Sequence, residues 1–319
     1  VPNAATEARL TKLQLLPESP PEARAQAFAE AREAAADPDR LIRAAACEGI
    51  AATANPSDGL QLLGRLAQDS DVGVRHAAVI AIAGLPWGGR LDLLAHALSD
   101  EDLGVVAVAA DGLSYAGDRR AIPMLHELIA EKQLQFGALE GLYALQDERL
   151  PSIARPLFAG FLTPLFEKTM AALALARTGD VEALQHVRRR VRKKFSPERG
   201  FLVMHLAGAD VSEGRAFVES LASSPSDDQR ESALLSLARL EPDRWLPELE
   251  RALAENLDGD PQGAAEVLFG LAQIDWARAG GLATEHLSRT DALGAAARRV
   301  LLGASLRAAF PAEILARCA

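Results

Sequence analysis

The stretch that decides the fold is Asp69–Asp100, DSDVGVRHAAVIAIAGLPWGGRLDLLAHALSD. From Val74-Arg75 through Ala77-Ala78 to Ile82 the apolar residues fall three and four apart, which is the spacing of one helix face. The run breaks at Leu85-Pro86-Trp87-Gly88-Gly89, and a second apolar segment, Leu91 to Leu98, precedes the next Asp. This reads as helix, turn and helix in about thirty residues. A unit of that size cannot bury its apolar face alone, so it stacks on copies of itself.

Working outward, the apolar position marked by Ile82 recurs at Ile50, Leu113, Leu142, Leu175, Leu206, Leu237, Leu271 and Leu302. Alanines precede it by four or five residues at Ala45-Ala46, Ala77-Ala78, Ala109, Ala138, Ala171 and Ala233, where small side chains let helices approach closely. Breaks follow it at Asn55-Pro56-Ser57-Asp58-Gly59, Ala116-Gly117-Asp118, Thr178-Gly179-Asp180 and Glu241-Pro242-Asp243. Glycine permits a left-handed helix end and Asp caps the helix that follows. Leu150 to Phe166 is the least regular stretch, because prolines at 151, 156 and 164 suggest a distorted pair or a bend. Residues 1–36 lack the repeat signature and read as an N-terminal helical cap. Residues 37–319 read as a single continuous repeat domain of about nine helix pairs. β-branched and aromatic runs are short, so the fold class is all-α.

These residues resemble the HEAT-repeat family of armadillo-like α-solenoids. The resemblance is carried by Asp37…Ile42-Arg43…Ala46…Ile50, Asp69…Val74-Arg75…Ala78…Ile82 and Asp100…Val105…Ala109…Leu113. It implies helix pairs stacked into a right-handed superhelix and a protein-binding scaffold or adaptor without chemistry of its own. It also implies that Asp37 with Arg43 and Asp69 with Arg75 belong to an internal polar ladder. The equivalent basic positions further along are Lys168, Arg199 and Arg230, with Val106 and Gln135 interrupting. Two enzymatic branches of similar architecture give rival expectations, a DNA alkylation-repair glycosylase and a phycobilin lyase.

Charge narrows the partners. The net charge of −10 argues against a protein built on nucleic-acid phosphates, yet residues 165–200 hold nine basic and four acidic side chains. The source is DVEALQHVRRRVRKKF, Asp180–Phe195. Val181, Leu184, Val187, Val191 and Phe195 form its apolar stripe, and Arg188, Arg189, Arg190, Arg192, Lys193 and Lys194 occupy the other faces. A helix dipole accounts for one or two bases at its C-terminal end. Six call for a counter-charge, either from this acidic chain or from a partner, and the expectation is a partner-binding patch for an acidic protein segment.

Catalytic and metal motifs are absent from the sequence. The six histidines make no H-E-x-x-H, the two cysteines make no C-x-x-C, and no phosphate-binding glycine loop or G-x-S-x-G occurs. No cofactor and no metal is expected. His96 and His126 hold similar places in neighbouring repeats and are expected to face solvent. Trp87, Trp245 and Trp276 fall in or beside turns, where packing is the common fate. No stretch approaches the roughly 18 apolar residues of a membrane span. Cys47 and Cys318 lie eight stacking steps apart, about 70 Å at roughly 8–10 Å per layer, so they do not pair. Unpaired thiols suit a reducing, cytoplasmic setting.

Overall fold

In a computed structural model the described residues are 4–19, 23–85, 87–193, 198–206, 212–224, 229–257 and 259–306. They form nineteen α-helices and no strand. Residues group into two compact units, Val1–Asp147 with Ser305–Ala319, and Glu148–Ala304.

The first unit begins with α1 (Ala4–Leu15) and continues with four helix pairs. These are α2 (Arg24–Ala34) with α3 (Arg40–Thr53), α4 (Pro56–Leu66) with α5 (Val72–Ala83), α6 (Arg90–Ala97) with α7 (Leu103–Tyr115), and α8 (Ile122–Leu128) with α9 (Gln135–Ala144). The second helices stack on one another, α3 on α5, α5 on α7 and α7 on α9. α2 packs along α3, so the segment before Asp37 supplies the first helix of the first pair.

Periodicity explains the packing. Ile50, Ile82, Leu113 and Leu142 are fully buried, and so are Ala46, Ala78 and Ala109 four residues before three of them. One helical turn thus presents a large and a small side chain to the next layer, which lets the layers interlock.

The second unit repeats the plan. It pairs α10 (Leu150–Ala159) with α11 (Leu165–Ala176), α12 (Val181–Arg192) with α13 (Arg199–Leu206), α14 (Ser212–Ala222) with α15 (Arg230–Leu240), and α16 (Pro242–Asn256) with α17 (Pro261–Ile274). α18 (Trp276–Glu285) packs on α17, and α19 (Ala292–Leu306) ends the described chain. Leu175, Leu206, Leu237 and Leu271 are buried as the spacing requires; the Leu302 side chain lies outside the described residues. The distorted pair or bend expected over 150–166 takes the form of a proline-bearing helix followed by a bend at Phe161 and Leu162. α10 is one helix carrying Pro151 in its first turn and Pro156 in its interior, and it packs closely along α11. The chain leaves the helix only at Gly160.

Candidate interaction site

The polar ladder joins layers of the first unit. Each linking turn carries Asp-x-Asp, at Asp37-Asp39, Asp69-Asp71 and Asp100-Asp102, and the two carboxylates divide the work. The second Asp caps the helix that follows: Asp39 accepts from the Leu41 N–H, Asp71 from Gly73 and Val74, Asp102 from Gly104 and Val105. The first Asp binds the arginine of the preceding layer. Arg43 grips Asp69 through Nε at 2.8 Å and Nη2 at 2.9 Å, and Arg75 grips Asp100 at 2.9 and 3.0 Å. The remaining nitrogen of each fork donates backward, Arg43 Nη1 to the Asp37 carbonyl and Arg75 Nη1 to the Asp69 carbonyl. Arg9 Nη1 extends the series to Asp37 at 2.5 Å. A planar guanidinium suits this three-way junction, since its donors are fixed in one plane.

Arg43's hydrogen bonds hold the Asp69 carboxyl below its ordinary range, against burial. For Asp100 burial is the largest influence and pushes up, but Arg75's hydrogen bonds and charge with the Asp102 N–H carry it below. The ladder stops at Val106, which is buried. In the second unit the corresponding bases do other things. Lys168 Nζ donates to the Gly160 carbonyl at 3.0 Å and lies 6.0 Å from the Phe158 ring centre. Arg230, nearly buried, pairs with Glu255, and Arg199 is buried.

α12 is set by its sequence at both ends. Asp180 accepts from the Ala183 N–H at 2.8 Å, and Arg155 of α10 pairs with the same carboxylate. Ala183, Val187 and Val191 are buried, while Val181, assigned to the stripe by spacing, is exposed because it stands in the first turn. Phe195 lies outside the described residues.

The bases of α12 are not equivalent. Arg189, Arg192 and Lys193 are exposed. Arg190 turns inward, its Nη1 3.1 Å from Oε1 of Glu198, a carboxylate with no solvent exposure. The contact is an ion pair rather than an aligned hydrogen bond, because neither Glu198 oxygen meets hydrogen-bond geometry. Arg188 is half-buried, with Nε shielded from water. Lys194 lies outside the described residues. The uniform outward patch expected from the sequence is therefore three described cations plus a buried pair. A helix wheel assigns faces to Cβ atoms, and a long arginine reaches past its own face toward a buried charge.

The loop after α10 meets the same edge. α10 and α12 run side by side, with the Phe158 ring edge-on to His186 at 5.4 Å. Directly after Lys168's anchor at Gly160, Phe161 and Leu162 stand 95% and 89% exposed. Burial first, then the charges of Arg190, Arg189 and Lys168, lower the His186 pKa, so this imidazole is neutral at pH 7. Exposed cations thus stand on α12, and exposed apolar side chains in the loop that follows its neighbour α10. The sequence signal for the apolar half was present at Gly160-Phe161-Leu162-Thr163-Pro164, where a loop-forming Gly and Pro bracket two large apolar residues.

Of the other candidates, His96 is exposed, whereas His126 is partly buried with Nε2 3.1 Å from Asp147 Oδ1. Trp87 and Trp245 are buried, and the Trp276 side chain is not among those described. Among the described residues no three His, Cys, Asp or Glu side chains are grouped to hold a metal ion, and no helix is long and apolar enough to cross a membrane. Burial, then Asp69's charge, pushes the Cys47 thiol up to about 12. Cys318 lies outside the described residues.

A family model described as HEAT repeats matches residues 28–88, which span α2 to the turn after α5. Residues 28–88 are thus HEAT repeats, and the helices beyond them continue an all-α pattern of pairs. Among solved structures, it is similar to an engineered protein at 17% identity and a TM-score of 0.38, with 94% of each chain covered. It is also similar to human deoxyhypusine hydroxylase in complex with glycerol, at 18% identity and a TM-score of 0.33, covering 79% of this chain and 96% of that one. Neither likeness bears on function. A search of curated protein sequences finds no match.

Proposed function

We propose that the protein is a non-catalytic adaptor of the cytoplasm that holds an acidic, partly apolar protein segment at the α12 edge. The observation that supports it is that α12 exposes Arg189, Arg192 and Lys193 in an otherwise acidic chain, while the loop after α10, a helix that touches α12 through Phe158 and His186, exposes Phe161 and Leu162. Exposed cations add roughly 0–1 kcal/mol each, so they serve chiefly to steer and orient. The apolar pair supplies buried area once a partner covers it, at about 25 cal/mol per Å2. Repeated layers give that edge a rigid backing, which keeps the ordering cost of binding low. A free, buried thiol at Cys47 agrees with a reducing compartment.

The test uses partners recovered on the wild-type chain. Reversal of Arg189, Arg192 and Lys193 to Glu is expected to slow their association at least tenfold at low salt while far-UV circular dichroism stays unchanged. Phe161→Ser with Leu162→Ser is expected to speed dissociation instead. Arg190 is left intact, because its removal strands Glu198. Undiminished binding by both variants at low salt would sink the proposal. Retention on vesicles of 30% phosphatidylserine, with no protein captured, would reassign the edge to an anionic membrane.

A further inference from the structure

The first unit carries a second surface of a different kind. Between α2 and α4 lies an open groove of about 470 Å3. It exists because the α2 wall ends in Ala35 and Ala36, whose short side chains leave the space unfilled. Phe28, Leu62 and Leu66 supply apolar surface, and Arg32 and Arg65 enter from opposite helices.

The state of those two arginines is the telling observation. Both are exposed, and among the described residues neither side chain makes a hydrogen bond or an ion pair. Other arginines of this unit are engaged, Arg119 with the Leu145 carbonyl and five with acids. Arg9, Arg40, Arg43, Arg75 and Arg120 each hold a carboxylate. Residues 1–147 contain 21 acidic side chains against 12 basic, so carboxylates are plentiful. The one acid lining the groove, Asp58, is engaged with Asn55 Nδ2 at 2.8 Å. Two guanidinium forks therefore flank a trough of mixed polar and apolar surface, with no carboxylate among the described residues bonded to either.

We infer that this groove binds an acidic peptide segment, an aspartate or glutamate next to a large apolar residue. The carboxylate sits between the two forks, whose geometry matches it, and the neighbouring side chain covers Phe28 and Leu62. An open trough suits an extended chain, which runs along it and leaves at both ends. This site is independent of the α12 edge, and either stands if the other fails.

The probe is the peptide Ser-Glu-Leu-Glu-Phe-Ser, acetylated and amidated, titrated into the isotope-labelled full chain and followed by NMR. Its Glu-to-Gln counterpart is the control. Expected are shifts at Phe28, Arg32, Leu62 and Arg65, and at least tenfold weaker binding of the Gln peptide. Arg32→Glu with Arg65→Glu is expected to abolish the shifts, and Arg32→Gln with Arg65→Gln to weaken binding at least fivefold. The protein reversed at α12 is expected to keep them. The inference is overturned by equal binding of the two peptides, by unchanged binding in the Gln double variant, by shifts confined to α12, or by no shifts at millimolar peptide.

Discussion

Replacing Arg75 by Met removes one junction of the ladder while keeping most of the side chain's bulk. Its side chain is 9% exposed and that of Asp100 is 8% exposed. The substitution deletes both bonds to Asp100, one to Glu101 and the donations to the Asp69 and Ser70 carbonyls. Asp100 keeps only the Asp102 N–H as a named donor. Stranding one member of a buried pair costs about 3–5 kcal/mol. With a urea slope of about 2 kcal/mol per molar, the unfolding midpoint falls by about 1.5–2.5 M. The reference is Arg40→Met, since Arg40 pairs with Asp71 at the surface, its side chain 64% exposed, and such pairs contribute roughly 0–1 kcal/mol. Urea melts followed by circular dichroism compare the two. Adding Asp100→Asn to Arg75→Met should restore about 1 kcal/mol or more, because the amide oxygen still accepts from Asp102 and no charge is left unpaired. If Arg75→Met melts no earlier than Arg40→Met, the ladder is ornamental and the reasoning fails. Acid offers a second readout. Asp69 and Asp100 both have folded-state pKa values below the ordinary carboxylate value. Their contribution is present above the unfolded value of about 3.9 and is lost as pH falls through the lower folded ones. The wild-type chain should lose stability below about pH 4, and Arg75→Met should show a shallower decline there.

Two further outcomes test the core. A Cβ on Gly59 would stand 2.3 Å from Cζ3 of Trp87, a buried ring with little room to shift. Gly59→Ala is therefore expected to destabilise by about 1–3 kcal/mol, despite alanine's better helix propensity, and a raised melting temperature would contradict this packing. In a Cys318→Ser background, Cys47 should resist aromatic disulfide reagents at pH 8 and react only as fast as the protein unfolds, because burial keeps it a thiol. Rapid labelling of the native chain would show that layer to be open.

Much of the fold was legible because repetition amplifies weak signals. One leucine near an alanine says little, but the same pair at intervals of about 31 residues places a buried face, and Ile50 through Leu271 stand there. The Asp-x-Asp turns were half legible. The first Asp was seen as a ladder residue and Asp102 as a helix-start residue, whereas the capping role of Asp39 and Asp71 needed backbone geometry. Residues 150–159 stay one helix, although a proline inside a helix weakens it in isolation, because packing along α11 outweighs the lost bond. The α12 edge was legible in charge and not in direction. Nothing local to Arg190 announces that Glu198, eight residues on, is buried beside it.

The ladder also gives the first unit a direction in time. Arg43 finds its carboxylate 26 residues later in the chain, and Arg75 finds its own 25 residues later. A ribosome delivers the amino-terminal side first, so each guanidinium emerges before the Asp that satisfies it. A nascent layer stays incomplete until the next has been made, and closing that junction leaves a new arginine waiting. Val106 ends the sequence of obligations. Beyond it the forward links change kind, from a bidentate fork on a turn aspartate to single contacts such as Arg119 with the Leu145 carbonyl and Arg155 with Asp180.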